Sequence, residues 1–334
     1  MQVAVIGGGS WGTTVAHLCA HSAPTVLWAR RAEVAEEVRT RHTNSAYLAG
    51  FELHPALRAT DSLEEAVTGA DVLVMGVPSH GMRETARALA PHLRPWVPVV
   101  SLSKGLEQGS HLRMTQVLEE ELPGHPCGVL TGPNLAKEIL AGDPAATVVA
   151  MDDHTIAEAL QPLFVTERFR VYTNDDVVGC EIAGALKNVM AIASGMADGL
   201  GTGDNTRAAI ITRGLAELSR LGAAMGGRLA TFAGLAGMGD LIATCVSPQS
   251  RNRHVGEQLG KGRTIEEIVD EMRMVAEGVK TAPVVVELGR LYDVELPIAD
   301  AVNAVVQGEL SAADAYQVLL SRRYTAEMHG MPPS

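Results

Sequence analysis

The stretch VAVIGGGSWGTTVA, residues 3–16, decides how the first half of the chain is read. Four apolar residues lead into glycines at positions 7, 9 and 12, the G-x-G-x-x-G spacing, and a helical pattern follows at once. In a chain with 34 glycines that spacing alone is weak; its place between an N-terminal strand and a helix is what gives it meaning. There Gly7 permits a tight turn and Gly9 lets backbone approach a pyrophosphate. Gly12 lets the helix pack close on the strand, its first amides aimed at phosphate oxygens. The plainer alternative is a glycine-rich strand–helix turn that binds nothing.

Outward from this loop, near-continuous apolar runs recur at 25–29, 71–77, 97–103, 127–132 and 146–151, as in strands buried on both faces of a parallel sheet. Amphipathic segments at 62–68, 80–91 and 109–121 alternate with them. This rhythm predicts an α/β fold, with a doubly wound, Rossmann-like dinucleotide-binding domain over residues 1–176. It stops after FRVYTND, 169–175. Residues 177–334 read as an all-helical substrate-binding and catalytic domain. Helical patterns fall at 178–199, 205–223, 229–235, 253–260, 264–273, 280–291, 297–307 and 311–321. Thr264 before Glu266 and Glu267, and Ser311 before Asp314, mark two of the helix starts.

A length of 334 residues suits two domains. The net charge of −12 argues against a nucleic-acid partner, and any anionic ligand must be held by a local cluster working against the overall field. Cys19, Cys127, Cys180 and Cys245 form no CxxC pair and read as small buried hydrophobes in a reducing compartment. The 11 histidines show no metal-ligand spacing, so no metal site is expected. Met1 runs directly into an apolar strand, and no uncharged apolar run reaches ~18 residues. The expectation is a soluble, cytoplasmic protein without stable membrane insertion.

The end of the second strand reads Trp28-Ala29-Arg30-Arg31, where an NAD-preferring domain usually carries an acid. Two guanidinium groups suit a 2′-phosphate, so the expected cofactor is NADP(H); Glu33 leaves NAD(H) open. In GALKNVMAIASG, 184–195, Lys187 stands beside an apolar stripe of Ile182, Leu186, Val189, Ala193 and Met196, with Asn188 next to it. It is either a snorkelling surface lysine or one facing a cleft. Lys104 follows the end of a strand, where open α/β sheets place their ligands. After the next strand Gly132 and Pro133 turn the chain and Asn134 can cap a helix. Asp240 and Thr244 share a helix face, Ser250, Arg251 and Asn252 bunch anion donors ahead of Arg253, and Asp204 or Asn205 can cap the helix after a glycine-rich connector. Together these residues suit a small phosphorylated carbonyl substrate, with a lysine of lowered pKa as general acid.

The stretches GGGSWGT, VPSH, LSKGLE, GPNLAKEI, EIAGALKNVMAIASGMADGLGTGDNTRAAIITRGLAE, GLAGMGDLIATC, SRNR and AEGVKTA run in order over most of the chain. The sequence thereby resembles the bacterial-type NAD(P)-dependent glycerol-3-phosphate dehydrogenases. The resemblance implies a Rossmann domain followed by a helical one, and a homodimer. It also implies reversible reduction of dihydroxyacetone phosphate to sn-glycerol 3-phosphate for phospholipid synthesis. Lys187 matches the family's proton donor and acceptor. Lys104, Gly132, Asn134, Asp240, Ser250, Arg251 and Asn252 match substrate positions, joined by Asn188 and Thr244. Ser10, Trp11, Arg30, Arg31, Lys104, Ala136, Arg251, Val275 and Glu277 match cofactor contacts. Position 134 is often Ser or Thr in relatives. The rival readings are another reductase of the same two-domain plan, of the 6-phosphogluconate or ketopantoate type, and a non-catalytic NADP(H) sensor, which would need neither Lys187 nor the 250–252 cluster.

Overall fold

Short runs of β-branched and small apolar residues make the strands that organise the first half of the chain. They are β1 (Val3–Ile6), β2 (Thr25–Trp28), β3 (Arg58–Thr60), β4 (Val72–Met75), β5 (Val99–Ser101), β6 (Cys127–Thr131), β7 (Ala145–Met151) and β8 (Phe169–Asn174). In the computed structural model, which describes residues 1–272 and 276–322, they form one sheet in the order β3-β2-β1-β4-β5-β6-β7-β8. Successive residues of β1 feed opposite cores: Val3 and Val5 pack on one face with Val15, Leu27 and Val74, while Ala4 and Ile6 pack on the other with Val26, Leu73 and Met75. That two-sided burial is why the strands read as unbroken apolar runs.

Two features depart from the sequence reading. β3 is an edge strand of three residues, Arg-Ala-Thr, paired only with β2, and its composition carries no apolar run to detect. The sheet is mixed, because β7 lies antiparallel to β6, with Thr131 opposite Val148. An apolar run reports burial on both faces and says nothing about strand direction. The helices of this unit are α1 (Ser10–Ala20), α2 (Ala32–Arg41), α3 (Ser45–Leu48), α4 (Leu63–Val67), α5 (Met82–Leu89), α6 (Met114–Glu121), α7 (Ala136–Leu140) and α8 (His154–Phe164).

The second compact unit begins at Val178 and also takes in Lys104–His111. That excursion out of the first half is held by Leu106 in the helical core, by Gln108 Nε2 donating to the Lys280 carbonyl at 3.4 Å, and by His111 Nε2 at 2.5 Å from Glu287. A cut of the chain at residue 176 follows the change in sequence rhythm and does not register it. Among the described residues this unit contains α9 (Val177–Gly199), α10 (Asp204–Ala224), α11 (Leu229–Phe232), α12 (Asp240–Val246), α13 (Arg251–Gly260), α14 (Ile265–Glu271), α15 (Glu277–Leu291), α16 (Pro297–Val306) and α17 (Ala312–Leu320).

α9 has the length and hydropathy of a membrane span, yet its apolar window is 94% buried inside the protein. Every residue from Gly179 to Ala197 is buried, so the single stripe read from the sequence is too narrow. The helix is apolar on all sides because it runs through the core. Thr264 and Glu267 form a capping box on α14, and Ser311 accepts from the Asp314 amide at the start of α17. Other expected caps are displaced. α7 is preceded by Leu135 rather than capped by Asn134, and α10 starts after Gly203 with Asp204 already in its first turn. The helix expected over 229–235 ends at Phe232, and a π-helical turn at Leu235–Gly239 follows. All four cysteines are free and buried.

The buried Glu217 carboxylate of α10 closes the start of α16, accepting from the amides of Ile298 at 2.7 Å and Ala299 at 3.2 Å. Burial pushes its carboxyl up to about 7, against the pull of those two amides. Glu217→Ala should strand both donors at ~1–3 kcal/mol each, a loss that a shift in the urea midpoint at constant m-value will read.

Candidate active site

In the sheet unit, the glycine loop is built by close approach. Gly7 has φ +127°, and a Cβ there would lie 2.5 Å from the Gly76 carbonyl oxygen. A Cβ on Gly12 would lie 2.1 Å from the Gly7 carbonyl oxygen. A Cβ on Gly9 would meet nothing within 4 Å, so this glycine leaves the mouth of α1 open instead of serving internal packing. Ser10 is the first residue of α1, and the Trp11 indole Nε1 is buried with no hydrogen-bond partner among the described residues. An open amide-lined helix start beside an unused buried donor fits a bound dinucleotide.

Sequence reading missed Asn44. This fully buried side chain donates from Nδ2 to the Gly8 carbonyl at 3.0 Å and to Thr13 Oγ1 at 2.9 Å, pinning the glycine loop from a neighbouring segment. A lone Asn after a helix end carries no local signal of that contact. Arg31 precedes α2, its guanidinium 5.1 Å over the Tyr47 ring and its Nε 3.7 Å from Glu33, while Arg30 is exposed. Gly132, Asn134 and Ala136 also belong to the sheet unit, in the turn from β6 into α7. Asn134 Nδ2 donates to Thr147 Oγ1 at 3.1 Å, and its buried Oδ1 has no partner among the described residues.

The helical unit gathers most of the other candidates into one cluster. Lys187, in the middle of the buried helix α9 and 4% exposed, places Nζ 2.8 Å from Thr244 Oγ1, 3.2 Å from Asp240 Oδ1 and 3.2 Å from Asn188 Oδ1. The other oxygen of Asp240 takes Lys104 Nζ at 2.6 Å. Thr244 Oγ1 in turn donates to the Asp240 carbonyl at 2.6 Å, one turn back along α12. Asn188 Nδ2 donates to the Lys104 carbonyl at 2.7 Å, so the excursion that carries Lys104 is tied to the catalytic-candidate helix itself. A single carboxylate therefore serves two ammonium groups in a largely dry cluster.

Burial pulls the Lys187 ammonium down to about 8 from its ordinary 10.5; Asp240 opposes the shift and the Lys104 ammonium adds to it. A lysine poised there exchanges its proton near neutral pH.

Ser250 caps α13, its Oγ accepting from the Arg253 amide at 3.2 Å, and Arg251 opens the helix exposed to solvent. The Asn252 side chain turns inward instead. Its Nδ2 donates to Asn188 Oδ1 at 2.8 Å and its Oδ1 accepts from the Gly278 amide at 2.9 Å. Glu277 is the first residue of α15, and Val275 lies outside the described residues.

Comparison with known proteins follows the same division of the chain. Family models for the NAD-dependent glycerol-3-phosphate dehydrogenase N-terminus and C-terminus match residues 2–157 and 176–317. A relative from Sphingopyxis alaskensis, glycerol-3-phosphate dehydrogenase (NAD(P)+) 2, is 58% identical over 98% of this chain and 99% of its own. The crystal structure of glycerol-3-phosphate dehydrogenase from Coxiella burnetii superposes with a TM-score of 0.92 at 35% identity, covering 96% of this chain and 99% of that one. A ketopantoate reductase from Ralstonia eutropha, at 16% identity and a TM-score of 0.58 over 95% of this chain and 100% of its own, shares the fold alone.

In an NMR titration of the lysine ε-signals, one lysine should titrate near pH 8. Asp240→Asn removes the charge that favours its ammonium and should move that midpoint lower; an unchanged or higher midpoint would contradict this electrostatic account.

Proposed function

The chain belongs to the NAD-dependent glycerol-3-phosphate dehydrogenase family and is an NAD(P)-dependent oxidoreductase, and we propose that it reversibly reduces dihydroxyacetone phosphate to sn-glycerol 3-phosphate with Lys187 as its general acid and base. The observation that carries the assignment of Lys187 is its buried Nζ, held by Asp240, Thr244 and Asn188 with the Lys104 ammonium on the other oxygen of the same carboxylate.

When bound, the reduced nicotinamide supplies the hydride that reaches C2 of the substrate. Lys187 then gives the proton from Nζ to the carbonyl oxygen, and in the opposite direction the neutral amine takes the proton of the C2 hydroxyl. Thr244 and Asn188 hold Nζ in place in both states, and Asp240 favours return to the ammonium form. Lys104, on the other oxygen of Asp240, adds a second donor for the substrate. The phosphate is taken by Arg251 and the amide end of α13, where charge-assisted hydrogen bonds and the helix start act together. Asn252 contributes through position, since its side chain joins Asn188 to the start of α15.

Ser10, Trp11 and the open edge at Gly9 hold the dinucleotide, with Arg30 and Arg31 placed after β2 to favour a 2′-phosphate. Gly132, Asn134 and Ala136 complete the ligand-binding set on the sheet unit, the unpartnered Asn134 Oδ1 being one acceptor it offers. We place the enzyme in the cytoplasm as a homodimer that supplies glycerol 3-phosphate for phospholipid synthesis.

Initial-rate absorbance at the nicotinamide band, with dihydroxyacetone phosphate and either NADPH or NADH, tests the reaction and the ribose argument together. Oxidation of neither cofactor would sink the reading, while equal use of both would discard only the role of the two arginines. Lys187→Met should lower kcat by ~10²–10⁴ while NADPH binding persists; turnover within about tenfold of the unaltered enzyme would remove Lys187 from the chemistry. Because the protonated lysine is the acid, ketone reduction should fall as pH rises through about 8, and alcohol oxidation should rise over the same range.

A further inference from the structure

We propose that Asp198 is a positioning residue for this reaction, holding the phosphate-binding turn of α13 in fixed rotation against the catalytic helix α9. The inference rests on the phosphate reading given above. Asp198 lies near the end of α9, eleven residues and about 16 Å beyond Lys187 at 1.5 Å per residue. Its carboxylate, on a side chain 9% exposed, grips two guanidinium groups, one on each oxygen. Oδ2 accepts from Arg253 Nε at 2.9 Å and lies 2.7 Å from its Nη2; Oδ1 accepts from Arg207 Nε at 3.1 Å and Nη2 at 2.7 Å. Arg207 thereby bridges the glycine connector and also holds Asp204 within its own helix at 2.7 Å, and Thr202 returns to the Ala197 carbonyl at 2.9 Å.

The separation of the two helices is set elsewhere. Gly195 and Gly199 of α9 face Gly256 and Gly260 of α13, so that the backbones touch. A Cβ on Gly195 would lie 2.0 Å from the Arg253 carbonyl oxygen, and one on Gly256 would lie 2.0 Å from that of Ile192. A Cβ on Gly199 would meet the Glu257 carbonyl oxygen at 2.3 Å, and one on Gly260 that of Met196 at 2.4 Å. A crossing made of four glycines fixes distance closely and leaves rotation and sliding to be set by the side chains around it, among them the Asn252–Asn188 hydrogen bond. Arg253 on Asp198 adds a charged restraint: two guanidinium nitrogens converge on Oδ2, so the contact constrains the direction of the guanidinium as well as its distance. Arg253 stands two residues from Arg251 and one from Asn252. Its orientation therefore sets where the phosphate donors stand and keeps Asn252 on Asn188, the residue next to Lys187. Lys187 retains its own bonds to Thr244 and Asp240 whatever α13 does. A displaced α13 turn should thus weaken substrate capture more than the proton step.

Asp198→Asn tests this with kcat and KM for dihydroxyacetone phosphate, competitive inhibition by inorganic phosphate, and the Kd for NADPH. The expected result is a KM raised about tenfold with kcat within about threefold, the phosphate inhibition constant rising in parallel, and the NADPH Kd unchanged. Asp198→Glu, which restores the charge, should recover part of the loss. An unchanged KM, or a loss shared equally by kcat and NADPH binding, would overturn the positioning role. Should Asp198→Asn fail to fold, Arg253→Lys keeps the charge but loses the fork and must show the same pattern of KM against kcat. Absence of turnover in the unaltered enzyme would defeat the reading of the reaction; turnover with no selective loss in the variants would defeat this inference alone.

Discussion

Two lysine ammonium groups on one buried carboxylate are the constraint around which the helical unit is organised. Asp240, which opens α12 directly after a π-helical turn, faces both Lys104 and Lys187, with Thr244 one turn on beside Lys187. Burial lowers the affinity of Lys187 for its proton, against the pull of Asp240. In the reaction proposed above, proton transfer at this lysine draws on that removal of charge from water. On the reading proposed above, the local cation cluster is what lets a chain of net charge −12 hold a phosphate ester.

Glycine does two kinds of work in this molecule. In the dinucleotide loop Gly7 and Gly12 allow strand, turn and helix to touch, and Gly9 leaves room for something outside the protein. At the crossing of α9 and α13 the glycines bring two backbones together with no ligand involved, which sets the spacing between the helix that carries Lys187 and the start of α13. Both depend on the missing Cβ, but only the first has a fixed local spacing next to a strand. The second is divided between helices some sixty residues apart in sequence, and small residues on either helix alone do not say which neighbour they meet.

The parts that were legible in the sequence share a property: their physics is local. The strands that form the centre of the sheet showed as apolar runs, the helical starts at Thr264 and Ser311 showed as capping patterns, and Asp240 with Thr244 showed as an i, i+4 pair. Where an expectation failed, a distant partner had taken over. Asn134 was a reasonable cap, yet its amide is used by Thr147 of a neighbouring strand. The contacts of the Asn252 side chain with Asn188 and Gly278 are likewise made with distant segments, which the run Ser250-Arg251-Asn252 does not record. The edge strand β3 had no apolar signature because it pairs with only one neighbour.

By itself the sequence determined the element types, the change from alternating strands and helices to helices alone, and the residue kinds available for chemistry. Those follow from periodicity, capping and turn preference, which act over a few residues. Tertiary structure alone decided that β7 runs antiparallel to β6, that Lys104–His111 packs with the helical unit, and that α9 is buried on every side. It also decided which charges meet. Lys104, Lys187 and Asp240 are far apart along the chain, and hydrogen bonding in a low-dielectric interior acts on distance in space, a quantity that no local pattern of residues records.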